Sequence, residues 1–337
     1  MAEPIRRNGS RGKLPPAGRE AAPPEPLIVL DPEVERRLAG IRFHFPESMD
    51  GRLTGVHRSA QPGVSVEFSD HKEYSPGDDI RHLNWKVYAR SDKFYVRQFA
   101  KDTHATVCLV LDCSGSMFYR SQTVERSKAE HAAGLALALC YLFLRQNDSV
   151  GLLSVRGHRL TDFVPPRSHA SQLVTVQEHL DRAVTGKAAS PDHNEGPTSL
   201  AEGLEFLVSR RTRRSAVIVL SDLFMDTPEF LPYLRYLKSG GSHVWLVQVL
   251  DPAELDLHPG KTERTFPFQG AMFFRSVETG HGILMDARLA RADYLARFKA
   301  FQDDLHERCA EAGIELSQCN TDTAPAEFIL EHLKRRR

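Results

Sequence analysis

Short, mostly apolar segments that alternate with helical patterns are the feature that most constrains the fold of this chain. Residues 106–111, 215–222 and 243–250 are rich in β-branched side chains and have the length of buried strands. Other segments, such as residues 127–146 and 288–312, repeat apolar residues at helical spacing. Strands that are apolar on both faces and are joined by helices form parallel sheets. The pattern therefore predicts an α/β fold with a doubly wound, mostly parallel sheet of the Rossmann type.

The alternation begins near residue 103 and predicts one large α/β domain over residues 103–337, which is long enough to bury a substantial core. Residues 252–287 interrupt the alternation with short phenylalanine-rich segments, and we interpret them as a β-rich insertion. The other predicted elements are strands at residues 148–155, 161–164 and 314–319 and helices at residues 169–184, 199–211, 228–238 and 325–335.

The region before this domain is predicted to hold a small β-rich module and a tail. Residues 31–102 form the module, because residues 64–68 alternate apolar and polar side chains and residues 94–99 give a second strand pattern. The module opens with a short helix for which Asp31 is the expected N-cap. Residues 1–30 are polar and proline-rich without periodicity, which predicts a disordered tail.

Composition narrows the classes of partner and the compartment. Lys plus Arg and Asp plus Glu both number 44, so the balanced charge argues against a general nucleic-acid-binding surface. The five cysteines are scattered and show no C-x-x-C spacing, which predicts reduced, buried thiols. Residues 1–25 lack the apolar core of a signal peptide, and the longest apolar stretch, residues 132–144, is shorter than the ~20 residues of a membrane span. We therefore predict a cytoplasmic protein with no membrane span.

Oxygen-bearing side chains follow the apolar strands at the places where a parallel sheet gathers its ligands. Two strands end in Asp112 and Asp222, and Ser114 and Ser116 follow the first of these aspartates at alternate positions. Thr198 lies in a turn that opens a helix. Carboxyl ends of parallel strands meet at one edge of the sheet. A small hard cation prefers such a set of oxygen ligands with few charges, so we predict a Mg²⁺ site, with Mn²⁺ and Ca²⁺ as alternatives.

These five residues resemble the metal-ion-dependent adhesion site of von Willebrand factor A domains, whose three loops occur in the same chain order. The resemblance implies a von Willebrand factor A-like fold in which Ser114, Ser116 and Thr198 contact the metal directly or nearly so. It implies that Asp112 and Asp222 act partly through water or by hydrogen bonding to the hydroxyls. An open metal position would accept a carboxylate of a partner protein. The alternative is that these hydroxyls only cap the helices that follow them.

A second resemblance involves six short segments spread along the chain. They are residues 55–59 (GVHRS), 67–70 (EFSD), 74–85 (YSPGDDIRHLNW), 89–93 (ARSDK), 148–151 (DSVG) and 277–280 (VETG). This series is similar to the hallmark of the bacterial family called domain of unknown function 58, whose members carry such a block directly before an A-type domain. Asn84 departs from the family pattern, which has an aspartate there. We interpret the block as structural and not catalytic. In this interpretation Asp78, Asp79 and Arg81 form a buried ion-pair network with Arg90 or Asp92, and Trp85 anchors the β-rich module against the sheet.

The two resemblances together imply a function. Members of the second family are typically encoded beside MoxR-type AAA+ ATPases, which implies an adaptor role in chaperone-like assembly or maturation of client proteins. We therefore expect a metal-dependent protein-interaction module that binds a client carboxylate and is not an enzyme. Ser114 lacks the Gly-x-Ser-x-Gly context of a hydrolase nucleophile. The alternative is a hydrolase that uses the same metal pocket with a base that the sequence does not reveal.

Overall fold

The computed structural model describes residues 26–45, 66–75, 83–85, 87–88, 93–101, 104–156, 159–185, 200–210, 215–225, 227–255, 271–275 and 282–336. The strands in these ranges are β1 (Val66–Glu73), β2 (Tyr95–Lys101), β3 (Thr106–Asp112), β4 (Ser149–Arg156), β5 (Arg159–Arg167), β6 (Ser215–Ser221), β7 (His243–Leu250), β8 (Ala271–Arg275), β9 (Gly282–Asp286) and β10 (Glu315–Asn320). The α-helices are α1 (Pro32–Leu38), α2 (Lys128–Arg145), α3 (Gln172–Thr185), α4 (Leu200–Ser209), α5 (Thr227–Ser239), α6 (Ala287–Glu311) and α7 (Pro325–Arg335), and a short 3₁₀ helix spans Gly115–Phe118.

Six of these strands form one mixed sheet in the order β10-β7-β6-β3-β4-β5. Neighbouring strands are parallel except for β4 and β5, which are antiparallel at one edge. From β3 the chain continues to β4 on one side, whereas from β6 it continues to β7 on the other. The winding therefore changes direction between the carboxyl ends of β3 and β6, the position at which open α/β sheets bind ligands. The α/β class and the mostly parallel sheet are confirmed.

Alternate side chains of the central strands enter two cores on opposite faces of the sheet. On β3, Leu109 and Leu111 belong to the core that α1, α2, α3 and α7 cover. Cys108 and Val110 on the same strand belong to the core that α4, α5 and α6 cover. Since helices cover both faces, neither set of strand side chains meets solvent. This two-sided burial explains the continuous apolar runs in the sequence.

Helix α2 begins directly behind the loop that follows β3. The hydroxyl of Ser127 accepts a bond from the backbone N–H of Glu130, and the Glu130 carboxylate accepts one from the backbone N–H of Ser127. This reciprocal capping box satisfies two donors at the start of the helix. It makes Lys128 the first helical residue, and the side chain of Lys128 is fully buried.

Residues 26–45 pack on the α/β core. Ile28 is buried, its N–H donates to Asp181 at 2.7 Å, and its carbonyl oxygen accepts from Gln177 at 2.9 Å, so it is tied to α3. Helix α1 buries two side chains in the same core. The predicted division at residue 30, between a disordered tail and a β-rich module, does not match this packing. Residues 1–25 of the predicted tail lie outside the described residues.

The β-rich regions are two-stranded where the structure describes them. Strands β1 and β2 pair antiparallel in the predicted module, and β8 and β9 pair antiparallel in the predicted insertion. Trp85 is 63% exposed and contacts Tyr88 edge-on, so the interpretation of Trp85 as an anchor against the sheet is wrong. Residues 76–82 of the hallmark block lie outside the described ranges.

The cysteines follow the prediction for buried thiols. All five are free and buried in the structure. Burial raises the pKa of the Cys108 thiol and the Cys140 thiol to about 12. These thiols are therefore protonated and shielded in the folded state.

Candidate metal centre

The centre of the candidate site is Asp112, the last residue of β3. Its carboxylate is fully buried. Oxygen Oδ1 accepts a bond from the backbone N–H of Ser114 at 2.8 Å, and oxygen Oδ2 accepts one from the hydroxyl of Ser221 at 2.5 Å. Ser221 ends the neighbouring strand β6, so this short bond joins the carboxyl ends of the two strands at the change in winding. Both carboxylate oxygens are thereby oriented by the protein before any ligand binds.

The two predicted serines lie together at the start of the loop after β3. The hydroxyl oxygens of Ser114 and Ser116 are 3.2 Å apart. The loop turns sharply because residues 115–118 form the 3₁₀ helix and the N–H of Cys113 still donates to the carbonyl of Val155 in β4. Ser114 is buried, whereas Ser116 is partly exposed. The pair therefore presents two neutral oxygen ligands at the sheet edge, one of them open toward solvent.

Asp222 follows β6 and is also fully buried. Its Oδ1 accepts from the backbone N–H of Phe224 at 3.1 Å, and its Oδ2 accepts from the Lys128 ammonium at 2.8 Å. Between them, Leu223 adopts a left-handed backbone conformation with φ of +60°, which a β-carbon disfavours. The N–H of Leu223 donates to the Ser221 hydroxyl at 2.9 Å, so one hydroxyl holds both the turn and Asp112.

A buried lysine enters the site from helix α2. The Nζ of Lys128 lies 2.8 Å from Asp222 Oδ2 and 2.6 Å from Glu254 Oε1, and it faces the ring of Phe224 at 4.9 Å. The second oxygen of Glu254 accepts from the backbone N–H of Asp251 at 2.9 Å. The sequence does not predict Lys128 and Glu254 as site residues, because both lie outside the short segments that contain the predicted ligands.

The electrostatics of these groups follow from burial and from their neighbours. Burial, reinforced by the nearby charge of Asp222, raises the pKa of Asp112 to about 7, although the bonds from Ser221 and Ser114 oppose the shift. Burial alone lowers the pKa of Lys128, but Asp222 and Glu254 more than compensate, so the pKa lies above its ordinary value. Burial raises the pKa of Glu254 despite its contact with Lys128. The site thus holds more buried carboxylate than the single ammonium can neutralise.

Four of the five predicted ligands are described, and the structure brings them to one edge of the sheet. Asp112, Ser114 and Ser116 share the loop after β3, and the Ser221 bond places Asp222 beside them. Thr198 lies outside the described residues, and helix α4 begins two residues after it.

The chemistry of this donor set fits a hard dication. All four side chains offer oxygen, and the two carboxylates leave net negative charge around an oxygen-lined edge. Because backbone, hydroxyl and ammonium donors already occupy the aspartate oxygens, the two serine hydroxyls are the ligands suited to direct contact. Within the described part of the chain, no three His, Cys, Asp or Glu side chains are grouped for metal binding. The metal prediction therefore depends on the hydroxyls together with the carboxylates.

Comparison with known proteins identifies relatives whose functions are not described. The family model described as "Protein of unknown function DUF58" matches residues 70–303. Uncharacterized protein Rv1480 of Mycobacterium tuberculosis and uncharacterized protein Mb1516 of Mycobacterium bovis are each 26% identical to the chain over 295 residues. Each alignment covers 87% of this chain and 86% of the relative.

Solved structures give weaker likenesses. The conserved hypothetical protein BatB of Bacteroides thetaiotaomicron has a TM-score of 0.41 and 17% identity, covering 68% of this chain and 98% of that protein. An aerotolerance-related membrane protein of Bacteroides fragilis has a TM-score of 0.40 and 19% identity, with coverages of 68% and 99%. An uncharacterized membrane-spanning protein of Vibrio fischeri has a TM-score of 0.23 and 17% identity, with coverages of 70% and 100%.

The descriptions of these proteins do not agree with the predicted compartment. Two of the three solved proteins are described as membrane proteins, and the prediction of a cytoplasmic protein with no membrane span is therefore not carried further. Among the helices that the structure describes, none has the length and apolar character needed to cross a bilayer.

Proposed function

For this chain, which belongs to the DUF58 family of proteins of unknown function, we propose a role as a metal-dependent protein-interaction module. We propose further that its α/β domain is von Willebrand factor A-like and that its site is of the metal-ion-dependent adhesion type. The observation that carries the proposal is the position of Asp112, Ser114, Ser116 and Asp222 where the winding of the sheet reverses.

The bonding within the site favours binding of an anionic partner. The aspartates are held by protein donors, so the two serine hydroxyls would make the direct contacts to a metal ion, and its inner shell would carry little negative charge. A Mg²⁺ ion held in this way supplies an electrophilic position for an anionic oxygen. A carboxylate from a client protein has the charge and geometry to complete such a shell. The carboxylate beside Ser114 is that of Asp112, and its oxygens are engaged by the backbone N–H of Ser114 and the hydroxyl of Ser221, so binding is the use of the site that we propose over nucleophilic catalysis.

The partner class follows from the sequence resemblance. We propose that the module works with a MoxR-type AAA+ ATPase and presents client proteins to it during assembly or maturation. The ATPase supplies the energy of nucleotide hydrolysis, and the present chain supplies recognition. Binding of a client through a metal-held carboxylate makes the recognition step sensitive to chelators.

Calorimetric titration with Mg²⁺ and with Mn²⁺ tests the metal site. We expect saturable binding to the wild-type protein and its loss in Asp112→Ala and Ser116→Ala. Asp293→Ala is the matched control, because Asp293 is exposed and pairs with Arg297 on α6. Circular dichroism checks that each variant folds, and the Ser116 variant removes only a partly exposed hydroxyl. Flat titrations for wild-type protein as well as variants would remove the metal from the proposal.

Affinity capture of the ATPase tests the partner. Purified MoxR-type ATPase should bind the immobilised chain in Mg²⁺ and be released by a chelator. Equal capture by the wild-type protein and the Ser116→Ala variant in both buffers would contradict a metal-dependent interaction. Turnover of generic ester or phosphate substrates that requires Mg²⁺ and Ser116 would instead indicate a hydrolase.

A further inference from the structure

The site contains a cation of its own. The ammonium of Lys128 is completely shielded from solvent and lies between two carboxylates, 2.8 Å from Asp222 and 2.6 Å from Glu254. Asp222 is one of the predicted metal ligands, whereas Glu254 lies in the segment after β7, which is separate from the ligand loops. One buried positive charge is therefore shared between the metal site and a neighbouring segment.

Lys128 and a metal ion at this site would both be stabilised by the carboxylate of Asp222. Oδ1 of Asp222 is engaged by the backbone N–H of Phe224, and Oδ2 is engaged by the ammonium. A dication at the hydroxyl pair and the ammonium of Lys128 would each be stabilised by the charge of Asp222. In a buried site this Coulomb competition is strong, because little water screens it.

Glu254 is held directly by its own segment and by α6. Its Oε2 accepts from the N–H of Asp251, and its carbonyl oxygen accepts from the hydroxyl of Tyr294 on α6 at 3.1 Å. The Oδ2 of Asp251 accepts in turn from the N–H of Ser121. Glu254 is thus a fixed acceptor that attracts Lys128 away from Asp222.

On this geometry we propose that Lys128 is a built-in competitor of the metal ion for Asp222, and that Glu254 sets the strength of the competition. This inference rests on the metal-binding function proposed above. The more firmly Glu254 holds the ammonium, the more of the Asp222 charge remains for the metal. Lys128 therefore lowers metal affinity, and Glu254 raises it.

Two single variants test the proposal because it predicts effects of opposite sign. Lys128→Met removes the competing cation and should tighten binding of Mn²⁺, followed by electron paramagnetic resonance and calorimetry, by about tenfold or more. Glu254→Gln leaves Asp222 as the one carboxylate among the described residues that pairs with Lys128, and it should weaken Mn²⁺ binding by a similar factor. A purely structural role for the pair predicts weaker binding in both variants.

Further variants act as controls. Lys128→Arg keeps the positive charge and should bind Mn²⁺ with near wild-type affinity. Lys93→Met removes a lysine from an exposed pair with Glu73 that is remote in sequence from the site, and it should leave Mn²⁺ affinity unchanged. If Lys128→Met does not fold, the double variant Lys128→Met/Glu254→Leu replaces both members of this pair with apolar side chains, so that Glu254 is not left as a buried charge and Asp222 keeps its bond from the N–H of Phe224. The double variant should also bind Mn²⁺ more tightly than the wild type.

The outcomes separate this inference from the proposed function. Failure of the wild-type protein to bind Mg²⁺ or Mn²⁺ overturns the metal-dependent function itself. Binding by the wild type together with weaker or unchanged binding in the Lys128→Met and double variants overturns only the competition. Tighter binding in those variants with weaker binding in Glu254→Gln supports it.

Discussion

Removal of the Ser221 hydroxyl is expected to destabilise the protein far more than its small size suggests. This hydroxyl donates to the buried Asp112 carboxylate at 2.5 Å and accepts from the N–H of Leu223 at 2.9 Å. A hydrogen bond to a charged group contributes about 1.5–3 kcal/mol, and an orphaned buried N–H costs about 1–3 kcal/mol. Ser221→Ala should therefore lower the free energy of unfolding by about 3–5 kcal/mol.

The same strand supplies a matched control for this prediction. Ser215, at the other end of β6, pairs with the hydroxyl of Ser242 at 2.8 Å, and both groups are neutral. Ser215→Ala should cost about 1–2 kcal/mol, since neutral hydrogen bonds contribute about 0.5–1.5 kcal/mol. Urea unfolding at pH 8 in a chelator should place the midpoint of Ser221→Ala below that of Ser215→Ala by about 0.5–1 M. Equal midpoints would refute the argument that Ser221 supports a buried charge.

Three further predictions concern the rest of the α/β domain. A Cβ at Gly151 would lie 2.7 Å from a carbonyl oxygen of β5, so Gly151→Ala should lower the free energy of unfolding in urea by about 1–3 kcal/mol. Gly134→Ala is the control and should not lower it, because the Cβ there would meet only a side-chain atom at 3.6 Å. Burial alone would raise the pKa of Glu315, but His243 and His332 bring it well below its usual range. Its stabilising contribution is thus present above the usual glutamate pKa of about 4.3 and is lost as the pH falls through the depressed value, so Glu315→Gln should flatten acid denaturation followed by circular dichroism. The five buried thiols should resist iodoacetamide in the folded protein and react in urea, as mass spectrometry would show.

Where the local sequence pattern was strong, it predicted the bounds of the strands and helices correctly. Strand β7 spans His243–Leu250 and helix α7 spans Pro325–Arg335, as predicted, because the strand is rich in valine and leucine and the helix opens with proline. Strand β5 extends over Arg159–Arg167, longer than the predicted residues 161–164, because prolines near its end mask the strand pattern. The buried position of Ile28 depends on contacts with α3 about 150 residues away in sequence, which no local pattern reveals.

The aspartates and serines of the site were predictable because their placement follows from chain topology. A strand that ends in aspartate places a carboxylate at the edge of a parallel sheet, and the structure links the ends of β3 and β6 through Ser221. Lys128 and Glu254 were not predictable by that rule, because one begins a helix and the other follows β7 by several residues. The contacts of Lys128 with Asp222 and Glu254 form only when the fold brings the start of α2 to the ends of β6 and β7.

Two local conflicts in the sequence and backbone nevertheless mark the site. Lys128 occupies the first position of α2, where the helix dipole disfavours a cation, yet the capping box of Ser127 fixes it there. Leu223 adopts a positive φ that its β-carbon disfavours, and its turn brings the N–H groups of Leu223 and Phe224 to Ser221 and Asp222. The stability of the helix alone would favour an acidic or neutral residue at position 128, and the backbone conformation alone would favour a glycine at position 223. Both conflicts act on the carboxylate of Asp222, so each is explained by the site and not by the stability of its own helix or turn.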